Sequence, residues 1–236
     1  MASSQAPVST ATATETTTTT TVTTTSTTTS PTTTTTTNPN PTPIVTHPLF
    51  HIRPYLPSDV MPCYQAINSP LIAKYMLTTF PNPPTVPGTE LWISTTAANT
   101  FSPELPVLLN YAIVSPDGSQ FIGSLGFKRM LDVENRNLEL GYWVGVDHWG
   151  KGIGTAAVRE FVRWAFRSFP ELERVEAQVF SGNGGSIKAL TKAGFVHEGT
   201  RRRAAAKEGL GIFDIKMLSV IRADLAEEGE GSNPSQ

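Results

Sequence analysis

The stretch from Leu138 to Ala157 constrains this chain more than any other. An apolar run, Leu138-Glu139-Leu140-Gly141-Tyr142-Trp143-Val144-Gly145-Val146, meets Gly150-Lys151-Gly152-Ile153-Gly154, and a helix-patterned segment follows at once. Three glycines at alternate positions strip the backbone of Cβ atoms where a helix begins, leaving its first N–H groups open to an anion. The helix dipole adds partial positive charge at the same point. A strand feeding a bare helix N-terminus is a natural pyrophosphate cradle, so the chain must build an α/β fold around it.

Two familiar cradles fit poorly. Gly145 through Gly150-Lys151 has the spacing of a P-loop, but Gly152 stands where the magnesium-binding Ser or Thr belongs. Gly152-Ile153-Gly154-Thr155-Ala156-Ala157 reads as a dinucleotide fingerprint. Yet several strand-like segments precede it without the alternating βα rhythm such a domain shows.

A third reading rests on a resemblance. Gly150-Lys151-Gly152-Ile153-Gly154, with its strand and helix, resembles motif A of the GCN5-related N-acetyltransferases (GNAT), Arg/Gln-x-x-Gly-x-Gly/Ala. Trp149 replaces the Arg/Gln, a departure typical of the RimJ/RimL-like branch. Asn183-Gly184-Gly185-Ser186, Lys192-Ala193-Gly194-Phe195 and Glu198-Gly199 resemble that branch's N-x-x-S…K-x-G-F-x-x-E-G block, and Ile52-Arg53-Pro54 with Asp59 is similar to its opening. The likeness runs from about residue 49 to about residue 222. It implies a mixed α/β fold: a mostly antiparallel twisted sheet flanked by helices, in the order β-α-α-β-β-β-α-β-α-β-β. It also implies acetyl-coenzyme A as co-substrate and an amine as acceptor, a protein N-terminus or a small molecule. Trp143, Val144, Val146, Trp149, Gly150, Lys151, Gly152, Ile153, Gly154, Asn183 and Ser186 are the residues expected to hold the coenzyme.

Local patterns agree with that order. Phe50–Tyr55 reads as a strand, and Ser58-Asp59 caps a helix through Asn68. Glu90–Asn99 reads as a helix. Val107–Val114 and Phe121–Phe127 flank a hairpin turn at Ser115-Pro116-Asp117-Gly118. Val158, Phe161, Val162, Ala165, Phe166 and Phe169 make an amphipathic stripe ended by Pro170. A strand at 175–179 is expected next, then a helix from Asn183 to Ala193 and strands at Phe195–Glu198 and Leu210–Val220, with 200–210 as a connection.

Residues 1–46 are a different material. About half are threonine and Glu15 is the only charge, so the segment lacks the apolar surface that would offset the entropy of ordering and reads as a disordered tail. Residues 47–222 make one domain by length, and the acidic 223–236 reads as a second tail. No basic n-region or apolar h-region opens the chain, and no Lys or Arg precedes Arg53, which argues against a signal or transit peptide. The expectation is a soluble, cytoplasmic protein, monomer or homodimer. The net charge of −2 speaks against a nucleic-acid partner, the lack of a long apolar run against a membrane, and the single Cys63 against a disulfide framework. No metal-ligand spacing occurs.

Acetyl transfer needs a deprotonated amine, a donor where negative charge develops on the carbonyl oxygen, and a proton or hydrogen bond for the departing thiolate. Glu139 is the candidate base or positioner of the amine; strand parity puts it with Gly141 and Trp143. The oxyanion donor is expected to be the backbone N–H of Trp143 or Val144. Many members of the family use a tyrosine where this chain has Leu190, and the resemblance offers Ser186 as its substitute. The missing tyrosine also leaves open an inactive acyl-coenzyme A-binding module. Tyr142, Trp143 and Trp149 read as aromatics that either line the cleft or pack at a strand end, Asn183 as a coenzyme contact or helix cap, and Arg201-Arg202-Arg203 as a solvated cluster that can also face a phosphate or an acidic acceptor. The 81–88 loop and the 200–210 connection are the expected selectors of the acceptor.

Overall fold

Alternation along the strands splits the buried residues between two faces of one sheet. The computed structural model describes residues 41–77 and 83–225. The 1–40 and 226–236 portions of the two tails, and residues 81 and 82 of the proline-rich loop, lie outside them. The strands are β1 (Val45–His47), β2 (Phe50–Arg53), β3 (Asn110–Val114), β4 (Phe121–Arg129), β5 (Asn137–Val144), β6 (Arg174–Phe180), β7 (Val196–Lys207) and β8 (Gly211–Ile221). The helices are α1 (Val60–Ile67), α2 (Pro70–Ala73), α3 (Val86–Ala97), α4 (Ile153–Ser168) and α5 (Gly184–Lys192). The sheet order is β1-β2-β3-β4-β5-β6-β8-β7, and every neighbouring pair is antiparallel except β5 with β6. The mixed, mostly antiparallel α/β class expected from the sequence is what the chain forms.

One face packs on α4 and α5. The α4 stripe of Val158, Phe161, Val162, Ala165 and Phe166 is buried as its spacing requires, with Phe161 stacked on Phe127 at 4.4 Å. Arg222 closes the helix C-terminal end by donating to the carbonyls of Phe166, Phe169, Pro170 and Leu172, where a cation suits the dipole. The other face packs on α1–α3 through Cys63, Ile67, Ile72, Ile93 and Trp143. On that side a buried Arg53–Asp59 pair, with two 2.8 Å contacts, ties β2 to the turn before α1. Among the described residues no helix is long and apolar enough to cross a membrane.

Four elements depart from the sequence reading, the one-turn α2 having no counterpart there. β1 lies at the end of the threonine-rich stretch, where Val45 is buried and paired with Ile52. The α3 helix starts at Val86 rather than Glu90, because the Thr85 hydroxyl accepts from the Gly88 N–H and caps it. The expected 200–210 connection is mostly strand: β7 runs to Lys207 at the sheet edge, where its exposed, charged residues hide the alternation that marks a buried strand.

Candidate active site

The site is an opening in the middle of the sheet. β5 and β6 pair only at Asn137↔Arg174, Leu138↔Val175 and Glu139↔Glu176, then part. The Gly145 N–H donates to Ile122 O (2.8 Å) and the Met130 N–H to Asn137 O, so the odd-numbered main-chain groups of β5 serve β4. Those of Leu140, Tyr142 and Val144 therefore face the gap. On β6 the Ser181 N–H donates to Asp214 O, which turns the main chain of Gln178 and Phe180 toward the same gap. Buried backbone groups need partners, so a sheet opened in this way is built to receive a ligand or water. This parity separates the two expected oxyanion donors. The Trp143 N–H is directed to β4, whereas that of Val144 faces the gap. The Trp149 indole N–H covers the Val144 carbonyl at 2.7 Å, giving this departure from the family pattern a local role.

Beyond the gap lies the N-terminus of α4. Gly150 (φ 74°) and Gly152 (φ 78°) adopt left-handed conformations that favour glycine, and a Cβ at either would meet nothing within 4 Å. Gly152 caps the helix without a side-chain hydrogen bond, the first turn holds no acidic residue, and the first backbone bond of the helix runs from the Ala156 N–H to Gly152 O. The N–H groups of Ile153, Gly154 and Thr155 are thus left for an anion. Burial, with Lys151 beside it, lowers the His148 pKa, and Asp147 opposes the shift. The residues fit a pyrophosphate. Of the expected coenzyme contacts, Val146 packs against the α1–α3 cluster and does not line the cavity here, whereas Ile153 lines it although its side chain is buried in the core.

Two cavities meet at the gap. One, of about 600 Å³, is lined by Trp149, Gly150, Gly152, Gly154 and Lys188. The other, of about 700 Å³ on the α1–α3 side, is lined by Trp92, Ser124, Lys128, Glu139 and Arg201. Tyr75, Met76, Tyr142, Trp143, Asn183 and Ser186 border both. The Trp143 indole N–H is buried with no partner among the described residues.

Ser186 does not cap its helix. Asn183 does, accepting from the Ser186 N–H at 3.1 Å, while the Ser186 hydroxyl lies 3.0 Å from the Tyr142 hydroxyl. Burial raises the Tyr142 pKa and the hydrogen bond to Ser186 opposes the shift, so the phenol stays protonated near neutrality. Leu190 is fully buried in the core. Glu139, largely buried, lies 3.4 Å from the exposed Lys128 Nζ.

Three of these contributors lie outside the set expected from sequence. Tyr142 read as lining the cleft or packing; its parity put it on the α4–α5 face, but only the fold brings α5 to it. Tyr75 donates to Gly182 O at 2.8 Å, and Lys207 donates to the carbonyls of Ala73, Lys74 and Met76 at 2.7, 3.0 and 2.8 Å. Together they strap the segment after α2 across the gap. Burial lowers the Lys207 pKa.

A half-opened sheet beside a bare helix N-terminus makes a candidate cradle for a phosphate-bearing ligand at the centre of the fold. The model of the acetyltransferase (GNAT) domain matches residues 50–196, more than half of the chain, and the chain belongs to that family, in its RimJ/RimL-like branch. It is 35% identical over 116 residues to the uncharacterized N-acetyltransferase p20 of Bacillus licheniformis, covering 49% of this chain and 64% of that one. The chain spans about half to two-thirds of the length of the curated relatives it matches. The fold is similar to that of the ribosomal-protein-S5-alanine acetyltransferase of Vibrio fischeri (TM-score 0.63, 21% identity, 75% of this chain and 95% of that one). It is similar as well to RimL, a ribosomal L7/L12 α-N-protein acetyltransferase solved with coenzyme A (TM-score 0.63, 16% identity, 76% and 98%).

Proposed function

We propose that the protein is an N-acetyltransferase that uses acetyl-coenzyme A to acetylate a primary amine, by direct attack within a ternary complex. The observation that carries this reading is the convergence, at one gap in the sheet, of the α4 N-terminus, the Val144 N–H, the Tyr142–Ser186 hydroxyl pair and the Glu139 carboxylate. Acetyl-coenzyme A, once bound, supplies an acyl carbon activated as a thioester.

The chain's own residues do the rest. The N–H groups at the start of α4, with Lys151 nearby, hold the pyrophosphate. Glu139, on the side of the second cavity, receives the amine and takes its proton, directly or through water. The Val144 N–H donates to the carbonyl oxygen as negative charge builds there. The Ser186 and Tyr142 hydroxyls donate toward the sulfur, a role Leu190 has no group to fill. Cys63 is fully buried, and burial, with Asp59 adding to it, raises its thiol to about 12; this argues against an acyl-cysteine intermediate. The two similar structures are named for a ribosomal-protein alanine and for a protein α-N as acceptors, and a small-molecule amine is the other class that fits.

Calorimetric titration with acetyl-coenzyme A, with NADPH and ATP as controls, tests the cradle. Selective binding of acetyl-coenzyme A is the expected result, and preference for either control overturns the reading. Glu139→Gln tests the base. An α-amino group has a pKa of about 8, so acetylation is expected to fall roughly 100-fold near pH 7 and to approach wild type above pH 9. A loss independent of pH assigns Glu139 to positioning the amine instead.

A further inference from the structure

We propose that the acceptor is an amine that also bears an anionic group, and that Arg201, with Lys128, selects it. The inference rests on the N-acetyltransferase reading and concerns the cavity on the α1–α3 side. Lys128 and Glu139 are register partners on β4 and β5, and Glu139 and Glu176 on β5 and β6, so all three share the sheet face that bounds this cavity. Gln178 lies two residues along β6 from Glu176, about 7 Å of strand, on the same face. The Arg201 guanidinium donates to the Gln178 side-chain amide oxygen at 3.3 Å and lines the cavity with Lys128 and Glu139.

The charges on this face are unevenly paired, with two carboxylates gathered on one arginine. Glu176 and Glu198 are engaged by Arg174, at 3.3 and 2.6 Å, and neither lines the cavity. Glu139 has Lys128 as its ion-pair partner. Arg201 has a neutral amide, and among the described residues no carboxylate pairs with it. A bulge between Arg201 and Ala205, with Arg203 at φ 51° and its N–H held by the Asp214 carboxylate at 2.7 Å, bends β7 where this side chain leaves it. Bulges beside binding sites commonly re-aim a side chain in this way. An amine at Glu139 also displaces Lys128 from its partner and frees a second cation. The arrangement therefore offers a carboxylate to the amine and, farther along the same face, a planar guanidinium suited to a second carboxylate or a phosphate.

Such a group comes either from an acidic second residue of a peptide or from a small amine's own acid. Two pairs of acceptors separate these sources: peptides beginning Ala-Asp and Ala-Asn, and free alanine against alaninamide. Thiol release gives kcat/KM, and calorimetry in the presence of coenzyme A gives acceptor affinity. The expected result is a five- to tenfold preference for the acidic member of one pair, in both readouts. That ratio collapses toward one in Arg201→Gln and persists in Arg167→Gln, an exposed charge at the far end of α4. Equal values within both pairs, or a preference untouched by Arg201→Gln, overturn the inference. If acetyl-coenzyme A binds but no amine is acetylated, the transferase reading fails and the calorimetric ratio alone decides whether the anion site exists.

Discussion

Tyr142 and Ser186 stand 44 positions apart in the chain and 3.0 Å apart at their hydroxyls. Leu190, where many relatives carry a tyrosine, lies one helical turn beyond Ser186 and is sealed in the core. In the proposed mechanism, a phenol entering from the strand takes up the work that the family pattern gives to one on the helix. Tyr142→Phe is expected to lower kcat by roughly 10- to 100-fold while leaving acetyl-coenzyme A affinity nearly unchanged, since the ring that packs is retained. Ser186→Ala in that background is expected to cost less than it does alone, because the two hydroxyls act as a unit. Stopped-flow single turnover, compared with calorimetry, separates the two effects. The sequence exposes each residue but not the pairing, which depends on how α5 settles against β5.

The element proposed to hold the coenzyme is α4, and there the sequence is nearly transparent. Glycine spacing marks its bare start, and the Val158-to-Phe166 stripe marks the face it buries. Gly152→Asp is expected to abolish measurable acetyl-coenzyme A binding: it forces φ 78° on a residue with a side chain and sets a carboxylate against the pyrophosphate. The far-ultraviolet spectrum is expected to remain native, because a Cβ at Gly152 meets open space. Other elements were opaque for definable reasons. The strand β7 is an edge strand whose residues are mostly exposed, so charge and alanine replace the alternation that betrays a buried strand. The strap after α2 is held by Lys207 through carbonyl oxygens, and a side chain that bonds main chain more than 130 residues away leaves no pattern to read. Val146 belonged to the apolar run that named the site, yet the chain turns at Gly145 and sends it to the other core.

At the scale of the whole molecule, both faces of the sheet bury groups that ionise only reluctantly. Burial pushes Cys63 up to about 12 from an ordinary 9, and burial likewise raises Tyr55 and Tyr111. Their neutral forms belong to the folded state, so the unfolded chain releases protons first as pH rises. Stability is therefore full below about pH 9 and falls between pH 9 and 12, by about 1.4 kcal/mol per pH unit for each such group titrating only when unfolded. Urea midpoints at pH 8, 9.5 and 11 check this, and Cys63→Ala is expected to flatten the first part of the decline. Native Cys63 is expected to resist alkylation at neutral pH.

The brief contact between β5 and β6 carries one more consequence. Three residue pairs alone join the strands on either side of the opening, and in the proposed complex the coenzyme that fills it contributes as a missing strand would. Folding and occupancy are then linked by mass action. At one hundred times its dissociation constant the coenzyme adds about 2.7 kcal/mol to the stability of the fold. A substitution that weakens the junction will then show itself first as a protein whose melting temperature depends steeply on how much coenzyme surrounds it.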